Sequence, residues 1–136
     1  MIRFRLEGGR ELERALSRLQ AAARPAVTEK ALRAGAEVIA AEARRLAPVD
    51  SGTLRDSIGV AATAANGGGL AIGRGGVAVY VGPRGADAFY AHMVEFGTVD
   101  MAAHPFMRPA FDNVGREASR VIAETLGREI ERAAKG

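Results

Sequence analysis

His92, Glu95, Asp100 and His104 form the one group of titratable side chains in this 136-residue sequence with metal-like spacing. His92 and Glu95 stand three apart and share a face if the stretch is helical. A zinc site of the H-E-x-x-H kind needs two histidines on one helical turn, and the order here supplies only one. The ligand set is incomplete. His92 therefore reads as a surface or interface histidine, and Glu95 as the residue that terminates a short helix. Ser51, Thr53 and Ser57, near Asp50 and Asp56, offer hydroxyls that could serve as nucleophiles, but no general base is placed beside them. Ser, Thr and Asp in such a setting more often cap or turn the backbone. With two histidines and no cysteine, no catalytic constellation emerges, and disulfides and Cys-based metal sites are excluded. The expectation is a protein that is not an enzyme and uses no metal or cofactor.

Two glycine-rich patches, Gly67–Gly69 and Gly73–Gly76, are not phosphate cradles. A P-loop ends in Gly-Lys-Ser/Thr, and the dinucleotide fingerprint needs a strand-to-helix setting that is missing. Net charge is +3, which invites a nucleic-acid reading. By segment, residues 10–47 carry about +3 and residues 95–136 about −1, with acids mixed among the bases. No cluster forms that would neutralise a row of phosphates. No stretch of about eighteen apolar residues is present, and the N-terminus lacks a signal-peptide pattern, so a soluble product without a membrane partner is expected.

The elements that would position these residues follow from hydrophobic periodicity. Ile2, Phe4 and Leu6 alternate with charged residues as in a half-buried strand. Leu12, Ala15, Leu16 and Leu19 then take helical spacing, and Val27, Ala31, Ala34, Val38 and Ala41 continue it. Pro25 between the two stripes marks either a kink or the first turn of a second helix. Helix must stop at Ala47, because the residue before Pro48 is pushed out of the α region. Ile58, Val60, Ala62 and Ala64 alternate as a strand; Asn66–Gly69 turns the chain, Leu70 and Ile72 return it, and Val77, Val79 and Val81 add another strand. The glycine-rich hairpin at 66–76 is expected to be flexible or to order only against a partner. A short helix over Ala88–Glu95, capped by Asp87, precedes a long one beginning near Phe106, of roughly 28 residues and about 42 Å. The fold class is α+β: one domain over residues 1–136, with an antiparallel sheet of about four strands packed with a long N-terminal and a long C-terminal helix.

Four of the seven aromatic residues lie between Phe89 and Phe106, at the junction of the last two helices. Phe106 and Met107 either pack into the core or face a neighbouring subunit. Three stretches stand out in order: A-P-V-D-S-G-T-L-R-D-S-I from Ala47, Y-A-H-M-V-E-F-G-T from Tyr90, and H-P-F-M-R-P-A from His104. With their helices and small-residue β region, they resemble the tail-completion, or head-tail joining, proteins of long-tailed bacteriophages, prophages and gene transfer agents.

The resemblance implies a structural virion protein of the neck, assembled in the bacterial cytoplasm. It would be a homo-oligomeric ring, of six subunits, contacting the tail tube protein on one face and the head-tail connector or stopper on the other. DNA would pass its lumen without specific recognition. Head-side stopper or adaptor is the nearest alternative, and a small basic nucleic-acid-binding module the alternative from another class. The matching motif positions are Asp50, Gly52, Leu54, Ser57, Tyr90, Glu95, Gly97, Thr98, Pro105, Phe106, Pro109 and Ala110, with roles in fold and ring geometry. The Gly67–Gly76 stretch departs from the family's usual pattern.

Overall fold

A computed structural model describes residues 2–3, 24–48, 53–62, 70–74, 77–84 and 88–135. In chain order the elements are β1 (Ile2–Arg3), α1 (Pro25–Leu46), α2 (Thr53–Ser57), β2 (Ile58–Ala61), β3 (Leu70–Arg74), β4 (Val77–Pro83), α3 (Ala88–Phe96) and α4 (Met107–Lys135). The fold is α+β, as the periodicities require. The helical stripe at Leu12–Leu19 and the Asn66–Gly69 turn lie outside the described residues.

Pro25 opens the first turn of α1, where a missing N–H costs nothing, after an extended Arg24. At the other end Ala47 is extended (ψ 139°) and donates its N–H to the Ala43 carbonyl at 2.8 Å, so the helix closes one residue before Pro48. The sheet order is β1-β3-β4-β2. Three strands are antiparallel, β2 to β4 and β4 to β3, while the two-residue β1 joins β3 in parallel. The expectation that β3 returns along β2 is corrected: β4 lies between them. It is the longest strand, its Val79 and Val81 are buried, and a central strand has both of its edges paired. The tight hairpin is therefore β3–β4, with Arg74 opposite Val77 and two residues between. β2 ends at Ala61, so Ala62 is not part of it, and Ala64 lies outside the described residues.

α1 packs against α4, β4 and β2 together, so it is apolar over a broad arc. That arc is made mostly of small residues: Ala31, Gly35, Ala36, Ala40 and Ala43 are buried, with Leu32 and Ile39 filling the larger spaces. α4 runs antiparallel to it. Lys30 Nζ meets Glu129 Oε1 at 2.8 Å near one end, and Asn113 Nδ2 donates to Glu42 Oε2 at 3.1 Å near the other. Hydrogen bonds from Lys30 to Glu129, and from Arg45 and then Asn113 to Glu42, hold both carboxyls below the usual carboxylate range. A depressed folded-state pKa keeps these ties in place until the pH falls through that lowered value. Between them the helices nearly touch at Gly35. A Cβ there would lie 2.9 Å from the Ala118 carbonyl and 2.7 Å from Ile122 Cδ1.

Gly35→Ala should therefore destabilise the protein despite alanine's better helix propensity. The two helices must separate, at a cost of about 1–3 kcal/mol, measurable as a lower midpoint in urea unfolding.

Candidate functional site

The junction of α3 and α4 is a helix-to-helix corner in which one side chain satisfies the start of the long helix. The first intrahelical bond of α4 runs from the Ala110 N–H to the Phe106 carbonyl at 3.1 Å, which makes Phe106 the N-cap. The N–H groups before that bond have no helical acceptor. Glu95, from the last turn of α3, accepts them: Phe106 and Met107 donate to Oε1 at 3.0 and 2.8 Å, and Arg108 donates to Oε2 at 3.2 Å. The next residue, Pro109, has no N–H to satisfy. Every backbone donor from the N-cap to the first helical bond is thus accounted for. A carboxylate at this end also opposes the positive pole of the helix dipole, and Glu95 is only 9% exposed.

Holding a distant carboxylate there requires a tightly defined loop. Gly97 closes α3 by donating its N–H to the Met93 carbonyl at 2.7 Å, and it has φ +75°, the left-handed conformation that favours glycine at a helix end. A Cβ on Gly97 would lie 2.8 Å from both the Met101 carbonyl oxygen and the Ala103 nitrogen, so the loop folds back directly over it. Thr98 and Met101 exchange backbone bonds of 2.8 and 3.3 Å, and the His104 N–H reaches the Val94 carbonyl at 2.7 Å. Phe106 anchors the far side, fully buried at 0% exposure, with Ala110 buried one turn on. Its aromatic ring belongs to the core. At the outer tip the chain presents Val99, at 102% exposure, and Phe96, at 49%.

The structure brings Glu95, Gly97, Thr98, Pro105, Phe106, Pro109 and Ala110 into this one corner. Pro105 and Thr98 are exposed on it, and Pro109 is half-buried. Tyr90 lies on α3 and its side chain is outside the described set, as is that of His92. Both Glu95 oxygens are engaged by backbone N–H groups, so the glutamate, in the last turn of α3, also starts the next helix. Ser57 and Leu54 lie elsewhere. The Ser57 hydroxyl donates to the Leu54 carbonyl at 2.6 Å within α2, and Leu54 is buried. Asp50 and Gly52 lie outside the described residues.

Two contacts escaped the sequence reading. Gly35 in a row of alanines was a usable sign of close helix approach. Nothing marked Arg44, whose guanidinium binds the Ile58 carbonyl through Nε at 3.1 Å and Nη2 at 2.8 Å.

The described motif residues of α3, α4 and the loop between them thus shape one corner. Residues 10–97 match the family described as "Bacteriophage HK97-gp10, putative tail-component", well over half of the chain, and the chain belongs to that family. The match ends at Gly97, so it includes the capping glutamate but not the helix start that Glu95 caps. No curated protein and no solved structure matches the chain. Among the described residues, no helix is long and apolar enough to cross a membrane.

Glu95→Ala should lower stability by about 1–3 kcal/mol, because buried N–H groups lose their acceptor. Glu95→Gln, which keeps one carbonyl oxygen, should lose less in the same denaturant titration. Phe106→Ala should cost about 3–5 kcal/mol in the isolated subunit, the response of a core aromatic rather than an interface one.

Proposed function

We propose that this protein is a neck component of a phage or phage-derived particle, forming a ring that terminates the tail tube and joins it to the head connector. The observation that carries this reading is the α3–α4 corner. Its backbone is held by Glu95, Gly97 and His104, yet it turns Phe96 and Val99 outward. A closed ring needs head-to-tail surfaces of this kind, preformed and partly apolar. Membership of a tail-component family and the resemblance to head-tail joining proteins point the same way. Six subunits, the tail tube on one face, the connector on the other and DNA in the lumen complete the proposal. A stopper on the head side of the same neck is the neighbouring alternative.

A dedicated nucleic-acid module is less well supported. Several exposed arginines are paired with acids on their own helices: Arg33 with Glu29, Arg45 with Glu42, and Arg120 with Glu117. Phosphate contacts would have to displace those partners.

Light scattering coupled to size exclusion over a wide concentration range, followed by negative-stain imaging with purified tail tubes, tests the reading. Rings, or caps on tube ends, are expected. A monomer that ignores both tubes and connectors would overturn it. Val99→Asp should leave subunit stability within about 0.5 kcal/mol of wild type, because the side chain is fully exposed, while ring formation or tube capping is lost. Unchanged assembly in that variant would remove the corner from the interface.

A further inference from the structure

We infer that Arg44 guards the open edge of the sheet, keeping β2 from pairing with β2 of a second copy of this chain. β2 is the last strand in the order β1-β3-β4-β2, so among the described residues no strand lies on its outer side. The Arg84 N–H donates to the Ser57 carbonyl at 2.9 Å, which fixes the phase of the β2–β4 ladder. In an antiparallel pair, bonded and non-bonded positions alternate. Gly59–Gly82 and Ala61–Tyr80 are then the bonded pairs, while Ile58 and Val60, opposite Pro83 and Val81, aim their carbonyls away from β4. Pro83, which has no N–H to offer, fits that phase. So does Arg44, which reaches the Ile58 carbonyl from α1.

The outward groups of Ile58 and Val60 would permit a short two-fold ladder centred on Gly59. Val60 N–H of each copy would donate to the Ile58 carbonyl of the other, and Gly59 would face Gly59 at the close non-bonded position, where neither carries a side chain. The reciprocal bonds, Ile58 N–H to the Val60 carbonyl, would complete each pair, so two of the ladder's four bonds end on an Ile58 oxygen. Arg44 places two N–H groups on this oxygen, at 3.1 and 2.8 Å, and a carbonyl has two lone pairs to give. The guanidinium and a second strand compete for one acceptor. Glu37 Oε2 lies 3.9 Å from the remaining guanidinium nitrogen, Nη1, a loose ion pair that leaves the Nε–Nη2 fork on the carbonyl. Exposed strand edges are ready templates for pairing, and charged side chains are a common means of blocking them. For a subunit proposed to assemble through other surfaces, such a block suppresses an unproductive dimer.

Arg44→Met keeps an apolar stem and removes the fork. The full chain carrying it, compared with wild type by size exclusion with light scattering, should show twice the wild-type mass at matched concentration. Val60→Pro removes only the outward N–H and leaves the β2–β4 ladder bonds intact, so the double variant should return to the wild-type mass. Wild-type mass for Arg44→Met at every concentration would overturn the inference, and so would an enlarged double variant. If circular dichroism shows Arg44→Met to be unfolded, Arg44→Leu is read in its place: it offers the carbonyl no donor at all, so a raised mass supports the guard and an unchanged mass overturns it.

Discussion

The rest of the structure depends on how the long helix α4 is started. A helix of 29 residues has strong cooperative support along its length, but its first N–H groups have none, and here they are buried beside the core. Glu95 supplies the missing acceptor from another helix. That single group fixes the direction in which α4 leaves the corner, and hence the face that α4 turns toward α1. Gly97 makes the arrangement possible, because only a residue tolerant of positive φ lets the loop fold back within contact distance.

The corner aims α4 and α1 receives it. The two helices approach closely because α1 offers Gly35 and a row of alanines, so backbone and Ile122 nearly meet. Close approach brings many weak dispersion contacts into play and leaves no room for adjustment. α1 also covers the sheet, so one helix transmits the position of the corner to the strands. The aromatic content of the junction divides accordingly: Phe106 is spent on the core, while Phe96 remains partly outside with Val99.

The two exposed features of this scaffold have different character. The corner presents apolar side chains on a hydrogen-bonded loop, as a surface meant to be covered would. The β2 edge presents backbone groups, and the acceptor most useful to another strand is already taken by Arg44.

Much of this was written in local patterns. The 3.6-residue stripes, the stop before Pro48, the break at Gly97 and the start near Phe106 are decided by periodicity, proline sterics and glycine permissiveness, which act over a few residues. The sequence by itself therefore determined the α+β class, the extents of α1, α3 and α4, the strands to within a few residues, and the stretches that matter, but not the short helix α2. It could not assign Glu95 its role, because the bonds it makes span 11 to 13 residues and exist only once the corner has closed. Neither could it place β4 between β2 and β3, since strand order follows from which strand buries best at the centre. The fork of Arg44 on Ile58 and the near-contact of Gly35 with Ile122 are likewise meetings of distant segments. Only the tertiary structure decided them, because a lone pair or a missing Cβ has no consequence until packing brings its counterpart within reach.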